Sequence, residues 1–367
     1  MHDKMIKVGF VGLGLMGGSI AKAMGQALPQ VTIVAYDKNK EALALALMEG
    51  TINQMTDKID THFLDCDYIF LCAPVSFNTA YLKQLKPYLT NDTILTDVGS
   101  VKLPIHEEIE ILGMESNFIG GHPMTGSEKS GYSSSTPLIL ENAYYILSPS
   151  SRVSSDKVKR LKKLILSLKG IPLILDPKEH DYSTGIVSHL PHILAATLVD
   201  FTKAQDTEDY LLKKLAAGGF RDLTRIASSS PTMWQHICLE NHGFMGEILD
   251  DYIELLTKVR TMIVTCDGTG IHDVFMQARE YRNSLPEGES GAIKKEHTIY
   301  CDLADETGGI AAIATVLAGA NISIKNIGIL HNREFEEGVL QIDFYDKSAK
   351  NGAIKALQKK GYIIYEY

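Results

Sequence analysis

The feature that most constrains the fold of this chain is a glycine-rich turn between an apolar segment and a helical segment. Residues 8–11 have the apolar pattern of a buried strand, and Gly12, Gly14 and Gly17 follow in the spacing G-x-G-x-x-G. The first glycine permits a tight turn, the second lets a pyrophosphate approach the backbone, and the third lets a helix pack on the strand. The spacing therefore predicts a dinucleotide-binding turn at the start of a doubly wound sheet.

The acidic residue after the next predicted strand indicates which dinucleotide binds. Asp37 lies 20 residues after Gly17, just beyond the apolar segment 31–35. A carboxylate there accepts hydrogen bonds from ribose hydroxyls and repels a 2′-phosphate, so NAD is favoured over NADP although Lys38 is adjacent. The expected cofactor site comprises the turn, the Asp37 region and the ends of two further strands: Gly12, Leu13, Gly14, Leu15, Met16, Gly17, Asp37, Lys38, Cys72, Ala73, Pro74 and Asp97.

Up to residue 176, short apolar segments alternate with helical patterns. This alternation predicts right-handed βαβ units and an α/β domain of Rossmann type over residues 1–176. Segments 68–72 and 93–96 would be parallel strands, and segments 143–147 and 172–175 would extend the same sheet.

The rest of the chain has two different patterns. Residues 177–281 carry apolar residues at three- and four-residue spacing, which predicts an all-helical domain that packs against a second copy of itself. Residues 282–296 are polar and contain Pro and Gly, as linkers do. Residues 297–367 have the order βαββαβ and are expected to form a small third domain.

The composition excludes several classes of protein. The net charge of −9 argues against binding to nucleic acid or to an anionic membrane. Five cysteines without a Cys-x-x-Cys spacing fit a reducing, cytoplasmic location, and a strand that begins by residue 6 leaves no room for a signal peptide. The longest uncharged run, residues 182–199, contains two histidines and a proline, which favours a buried core helix over a membrane span.

A histidine in a second glycine-rich segment is the candidate for the chemistry. His122 follows two glycines and precedes a proline, which predicts a fixed loop at the end of a strand. An imidazole titrates near neutral pH and is suited to accept a proton. Together with a cofactor that accepts hydride, such a base predicts a dehydrogenase.

Four separated segments resemble the signatures of the prephenate dehydrogenase family. They are Asp97-Val-Gly-Ser-Val-Lys102, Gly121-His-Pro-Met-Thr-Gly-Ser-Glu128, Ser188-His-Leu-Pro-His192 and Gly219-Phe-Arg-Asp-Leu-Thr-Arg225. The resemblance covers residues 6 to about 281, and the C-terminal βαββαβ unit is similar to an ACT domain, a small ligand-sensing module. It implies NAD-dependent oxidative decarboxylation of prephenate to 4-hydroxyphenylpyruvate, on the way to tyrosine, by a homodimer.

The resemblance also implies roles for individual residues. His122 would accept the proton of the ring hydroxyl, and Ser100 would orient that hydroxyl or the imidazole. The dianionic substrate needs a cationic anchor, for which Arg225 is the candidate, because a guanidinium can bind a carboxylate in a bidentate manner. The implied substrate-binding residues are Arg225, His192, Ser188, Glu128, Asp222 and Trp234.

Some of these assignments have alternatives in the sequence alone. Trp234 belongs near the partner subunit's active site by the resemblance, and core packing is an equal interpretation. Glu128 would close a hydrogen-bond network or gate entry, or else cap a local structure. His189 and His192 have the spacing H-x-x-H, but an intervening proline and the lack of further ligands argue against a metal, and no metal is expected.

The C-terminal unit carries the expected effector site. A ligand carboxylate would bind the N–H groups where its first helix begins, and the hypothesis is that tyrosine binds there and inhibits. The alternative is a dimerisation module without a ligand. The expected effector-binding residues are Asp305, Glu306, Thr307, Gly308, Gly309, Asn321 and Ile322.

Three other functions compete with prephenate oxidation. Arogenate dehydrogenase has the same mechanism and a substrate with an amine in place of the ketone. A β-hydroxyacid dehydrogenase would carry a Lys-x-x-x-Asn pair in the helical domain, and none occurs between residues 177 and 285. The third is a regulator that binds NAD and senses an amino acid without turnover.

Overall fold

The chain forms two compact units in the computed structural model. They are Met1–Ser284 and Leu285–Tyr367. The structure describes residues 6–73, 77–127, 129–285, 297–303, 308–330 and 338–365.

A five-stranded parallel sheet is the centre of the first unit. Its strands are β1 (Lys7–Val11), β2 (Thr32–Tyr36), β3 (Gln54–Thr56), β4 (Tyr68–Leu71) and β5 (Ile94–Asp97). The spatial order is β3-β2-β1-β4-β5, so the chain reverses its direction of winding between β1 and β4. Ligands bind to such sheets in the crevice at this reversal, beyond the carboxyl ends of the strands.

Alternate residues of these strands build two separate apolar cores. On β4, Tyr68 and Phe70 belong to one core, whereas Ile69 and Leu71 belong to the other. Side chains along a strand point to opposite faces, so each face of the sheet is buried. This explains why the strand sequences are continuously apolar rather than alternating.

Two segments that were expected to extend this sheet form a second one instead. Strands β6 (Ile119–Pro123), β7 (Tyr144–Pro149) and β8 (Ile171–Ile174) pair in the order β6-β7-β8, and β6 is antiparallel to β7. One parallel bridge, between Leu95 and Phe118, links β5 to the residue before β6. The prediction of one continuous sheet was therefore wrong. Among the described residues between β6 and β7 there are short 3-10 turns but no crossover helix, which a parallel pair requires.

The helices around the sheets are α1 (Leu15–Ala27), α2 (Lys40–Met48), α3 (Asn78–Leu85), α4 (Leu103–Leu112) and α5 (Ser155–Ser167). Two of them, α2 and α5, begin at residues whose side chains cap the helix. The side chain of Asn39 accepts hydrogen bonds from the N–H groups of Glu41 and Ala42 at the start of α2. The side chain of Ser154 accepts one from Lys157 at the start of α5. Such caps satisfy N–H groups that have no partner within the helix.

Between β8 and Ser284 the chain forms helices joined by short loops and no strand, as predicted. The helices are α6 (Pro177–Thr184), α7 (Leu190–Gln205), α8 (Leu211–Leu215), α9 (Gly218–Thr224), α10 (Pro231–Glu240), α11 (His242–Val264) and α12 (Gly268–Ser284). A π-helical turn, Gly185–His189, joins α6 to α7. Within the uncharged run 182–199, Ile186 and Val187 are exposed, so the run is helical but not buried throughout.

The second unit has the predicted order of elements. It comprises β9 (Thr298–Leu303), α13 (Gly309–Gly319), β10 (Ile324–Leu330), β11 (Gly338–Phe344), α14 (Lys347–Gln358) and β12 (Ile364–Tyr365). The strands form an antiparallel sheet in the order β10-β11-β9-β12. Ile299, Ile313, Leu340 and Leu357 are fully buried between this sheet and its two helices. This is the βαββαβ fold that the resemblance to an ACT domain implied.

The described residues contain neither a membrane-spanning helix nor a cluster of metal ligands. No helix in this part of the chain has both the length and the apolar character that a membrane crossing requires. No three His, Cys, Asp or Glu side chains within the same residues are grouped to hold a metal ion.

Candidate active site

The glycine turn after β1 has the geometry of a dinucleotide cradle. Gly12 has a φ of +95°, and a Cβ there would lie 2.6 Å from the backbone nitrogen of Ala73. A Cβ on Gly17 would lie 2.4 Å from the carbonyl oxygen of Gly12. A Cβ on Gly14 would meet no atom within 4 Å, so this glycine faces open space at the N-terminus of α1. The fold of the turn therefore requires glycine at positions 12 and 17, whereas Gly14 leaves space for a ligand to approach the backbone.

Asp37 connects this turn to the end of β2. One carboxylate oxygen accepts a hydrogen bond of 2.6 Å from the N–H of Leu13, and the other accepts one of 2.7 Å from Asn39. The ammonium of Lys38 lies 3.7 Å from the centre of the Phe77 ring, which directs its charge onto an aromatic face. The residues present fit NAD: a helix N-terminus for the pyrophosphate and a carboxylate for the ribose.

Substitution of Gly14 or Gly17 by alanine should distinguish an effect on NAD binding from an effect on stability. We expect Gly17→Ala to lower the stability by about 1–3 kcal/mol, because its Cβ overlaps a backbone oxygen. Gly14→Ala should leave the melting temperature unchanged and weaken NAD binding by about tenfold or more, because its Cβ enters the space beside the helix. Thermal unfolding and NAD titration of both variants measure this. Equal NAD affinity in Gly14→Ala and the unsubstituted protein would contradict the assignment of the turn.

The residues at the ends of β4 and β5 differ in what they offer a cofactor. Cys72 and Ala73 follow β4 and are partly exposed, and burial raises the pKa of the Cys72 thiol. Pro74 lies outside the described residues. Asp97 is buried and forms an ion pair with Lys102. The Asp97 carboxylate also accepts hydrogen bonds from the N–H groups of Gly99 and Gly121, so it holds the loop after β5 against β6.

His122 lies within β6, one residue before its end, and not in the loop beyond the strand. Its Nδ1 is 2.8 Å from Nε2 of His180. The side chain is half-buried, and its partial removal from water, with the positive charge of Lys102, holds the pKa of His122 well below its usual value of 6.5. The imidazole is therefore neutral near pH 7 and has a lone pair that can accept a proton.

Two adjacent residues of α6 support this histidine, and the sequence analysis did not identify them. His180 and Asp181 are fully buried, with His180 Nδ1 2.7 Å from an oxygen of Asp181. The two oxygens of Asp181 each accept a hydrogen bond of 2.7 Å from the N–H groups of Lys102 and Leu103. An adjacent His and Asp directly after the sheet domain was the available signal.

Ser100 lies two residues before Lys102, in the loop that joins β5 to α4, and it is half-buried. The hydrogen bonds that Asp181 accepts fix the residue at which this loop ends. Asp181 thus connects the loop of Ser100 to His180 and, through it, to His122.

Three of the predicted substrate-binding residues of the helical domain, Ser188, Trp234 and Arg225, interact with His192. His192 Nδ1 lies 2.9 Å from the carbonyl oxygen of Ser188 in the π-helical turn. The indole of Trp234 stacks on the imidazole of His192, with ring centres 3.8 Å apart. Burial lowers the pKa of His192, and the positive charge of Arg225 lowers it further. Arg225 therefore lies within electrostatic range of His192.

His189 joins the two groups of histidines. Its Nδ1 is 3.1 Å from Nδ2 of Asn241, which also donates to the carbonyl oxygen of Asp181. Burial lowers the pKa of His189 to about 4, although the nearby carboxylate of Asp181 acts in the opposite direction. Because His189 and His192 each have a ring nitrogen bound to a protein group, the H-x-x-H pair is used in hydrogen bonds.

The positions of the other predicted residues say less about their roles. Asp222 is exposed on α9, three residues before Arg225, which begins a 3-10 turn. Trp234 contacts His192 of its own chain, and its buried indole N–H has no partner among the described residues. Glu128 lies outside the described part of the chain. So do three of the predicted effector residues: Asp305, Glu306 and Thr307.

The remaining effector residues lie at two turns of the second unit. Gly308, at the start of α13, has a φ of +94°, and Gly309 is the first residue of that helix. Asn321 has a φ of +56° and is exposed, and Ile322 packs partly buried against the core. These positions leave the effector site a prediction.

Comparison with known proteins identifies the family of this chain. Residues 20–172 match the nucleotide-binding domain of prephenate dehydrogenase, and residues 176–277 match its dimerization domain. A prephenate dehydrogenase of Bacillus subtilis (strain 168) is 36% identical over 351 residues, which is 95% of each chain.

Solved structures give the same result. The crystal structure of prephenate dehydrogenase from A. aeolicus, in complex with hydroxyphenyl propionate and NAD+, is 32% identical with a TM-score of 0.73 and covers 78% of this chain and 100% of its own. A Synechocystis arogenate dehydrogenase is 26% identical with a TM-score of 0.69, over 77% of this chain and 100% of its own. From its sequence and its fold, this chain belongs to the prephenate dehydrogenase family.

Proposed function

We propose that this chain oxidises and decarboxylates prephenate to 4-hydroxyphenylpyruvate, with NAD as the acceptor of hydride. The observation that carries the proposal is the half-buried His122, held through one ring nitrogen by His180 in the unit that contains the glycine turn, with its pKa well below the usual value. The match to the family over both domains supports it, and so does the relative whose structure contains NAD+ and hydroxyphenyl propionate.

The proposed reaction balances without any further reagent. His122 takes the proton of the ring hydroxyl while the carbon that bears it loses hydride and becomes a carbonyl. NAD, when bound, accepts that hydride. The bond to the ring carboxylate then breaks, carbon dioxide leaves, and its electron pair makes the ring aromatic. The phenolic oxygen takes the proton back from His122, which restores the base.

The substrate contacts are part of the proposal. Arg225 would bind one carboxylate of the dianion, with Asp222 orienting it, and His192 and Ser188 would reach the pyruvyl side chain. Ser100 would hydrogen-bond near the reacting hydroxyl. Trp234 and Glu128 would close the site around the substrate.

The expected pH dependence follows from the lowered pKa of His122. We expect kcat/KM for prephenate to stay constant as the pH falls from about 8 and to decline only below 6.5. Protonation removes the lone pair, so activity is lost as the pH falls through the pKa, and a lowered pKa moves that loss to lower pH. Initial rates at saturating NAD, with the melting temperature recorded at each pH, measure this. A midpoint of the acid limb above 6.5 would contradict it.

Arogenate is the second candidate substrate, because of the hydrogen bond of His192. A neutral His192 that donates through Nδ1 to the carbonyl of Ser188 keeps Nε2 as an acceptor, and the ammonium of arogenate can donate to it. The test is the ratio of kcat/KM for prephenate to that for arogenate, with NAD. A ratio above one supports prephenate, and a ratio below one makes arogenate the substrate.

Tyrosine inhibition through the second unit is also proposed, supported by the helix start at Gly308 and Gly309. It requires that tyrosine lower the affinity for prephenate, and that prephenate lower the affinity for tyrosine by the same factor. Rates and calorimetric titrations with both ligands test it. If saturating tyrosine changes neither the rate nor the affinity for prephenate, the second unit is not a tyrosine sensor.

We propose that the helical domain forms a homodimer, as its family description suggests. Support comes from apolar side chains that α11 and α12 leave exposed in the single chain, which marks an interaction surface. These are Ile253, Leu256, Ile263, Val264, Phe275 and Tyr281. The proposed domain boundaries are 1–176, 177–281 and 297–367, with the linker 282–296. The cytoplasmic location stays a prediction.

A further inference from the structure

We propose that His180 and Asp181 are positioning residues that fix the proton of His122 on Nδ1, so that Nε2 is the atom that accepts the substrate proton. This inference rests on the proposed function and deepens it, because it names the two residues that prepare the base. Three side chains then act in series: the carboxylate of Asp181, the imidazole of His180 and the imidazole of His122.

The series begins at Asp181, whose ionised carboxylate can only accept hydrogen bonds. Its oxygens receive the N–H groups of Lys102 and Leu103, which are the first unpaired donors of α4. A negative charge at the N-terminus of a helix is stabilised by the helix dipole. The side chain is 1% exposed, so these protein donors take the place of water.

The acceptor at Asp181 determines the tautomer of His180. Since the carboxylate oxygen lies 2.7 Å from Nδ1 of His180, that nitrogen must carry the proton. A neutral His180 then has no proton on Nε2. The side chain is fully buried, and a second proton would place another positive charge beside Lys102 and His122.

The unprotonated nitrogen of His180 in turn determines the tautomer of His122. Nε2 of His180 lies 2.8 Å from Nδ1 of His122, and one of these two atoms must donate. Because His180 has no proton there, His122 donates from Nδ1. Its Nε2 is left as a lone pair on the opposite side of the ring, free to accept a proton from a bound hydroxyl.

The series also stabilises the charge that the reaction creates. When His122 takes a proton it becomes an imidazolium, and its Nδ1–H still donates to His180, which is polarised by Asp181. A hydrogen bond to the charged form favours that form. Asp181 also accepts a hydrogen bond from the N–H of Lys102, so the same carboxylate fixes the end of the loop that carries Ser100.

The test reads the tautomer of His122 directly and independently of activity. Protein labelled with 15N-histidine is studied by long-range 1H–15N correlation, and His122→Asn identifies the signals of His122. The series predicts a protonated Nδ1 and an unprotonated Nε2 in the wild-type protein. A proton on Nε2 of His122 would overturn the proposal, whether or not prephenate is a substrate.

Two substitutions at position 180 test the consequence for the rate. His180→Leu removes the acceptor, so kcat should fall by about 10²-fold and the proton of His122 should no longer be fixed on Nδ1. His180→Gln can present its amide oxygen to His122 Nδ1 and should recover part of kcat and the wild-type tautomer. A purely structural role for His180 would lower the melting temperature in both variants without moving the tautomer.

His106→Gln is the matched control. His106 is a buried residue of α4 and hydrogen-bonds Ser150, but it is not in the series. This variant should keep the wild-type tautomer of His122. Wild-type kcat in a folded His180→Leu protein would overturn the positioning role. Absence of turnover in the wild-type protein would instead remove the proposed function, and the tautomer measurement would still decide the inference.

Discussion

Replacement of His122 by Asn is expected to lower kcat for prephenate by about 10²–10⁴-fold and to leave NAD affinity unchanged. The amide of asparagine can still hydrogen-bond His180, so the fold around β6 is retained, but it cannot take up a proton at neutral pH. Steady-state rates at saturating NAD and prephenate, with NAD affinity from a direct titration, measure both quantities. The loss should be in kcat because the proton moves only during the reaction.

The control for this substitution is His62→Asn. His62 is an exposed histidine of the same domain and hydrogen-bonds Asp60 at the surface. Its replacement should alter neither kcat nor NAD affinity. A His122→Asn protein that turns over prephenate at the wild-type rate would remove His122 from the mechanism.

Replacement of Arg225 by Ala is expected to raise KM for prephenate by about 10–150-fold, which corresponds to the loss of one charge-assisted hydrogen-bonded contact. Arg225 is the cation that acts on His192, so its removal should also raise the pKa of His192. Arg225→Lys keeps the charge without the bidentate geometry, so its KM for prephenate should lie between that of the unsubstituted protein and that of Arg225→Ala. KM from initial rates and the pKa from histidine NMR give separate readouts.

Arg152→Ala is the control for Arg225. Arg152 is an exposed cation of the sheet domain that pairs with Glu115, and a surface ion pair contributes little to stability. Its removal changes the net charge by the same amount and should leave KM unchanged. If Arg225→Ala and Arg152→Ala have the same KM, Arg225 does not bind the substrate.

The sequence predicted those parts of the fold that depend on neighbours along the chain. The glycine turn, Asp37 at the end of β2 and the helical domain each follow from a local pattern of spacing and polarity. The order of elements in the second unit was predicted for the same reason. Strand β3 was missed because it has three residues, of which Gln54 and Met55 are exposed, and lacks the apolar pattern of its neighbours.

Features that depend on distant residues were not predictable in this way. Strand β6 pairs antiparallel with β7, and the apolar pattern of a strand does not specify which other strand it will pair with. The contact of His122 with His180 joins residues 58 positions apart, and that of Lys102 with Asp181 joins residues 79 apart. The candidate base, His122, could therefore be predicted from its residue type and its local sequence. The residues that orient it, His180 and Asp181, became evident only from the contacts in the structure.

The most direct test of the proposed activity is the balance of its products. Purified protein is incubated with NAD and prephenate labelled in the ring carboxylate, and NADH, labelled carbon dioxide and 4-hydroxyphenylpyruvate are quantified together. The proposed reaction predicts equal amounts of all three, and their loss together in His122→Asn. Formation of NADH without carbon dioxide, or of carbon dioxide without NADH, would contradict an oxidative decarboxylation at this site.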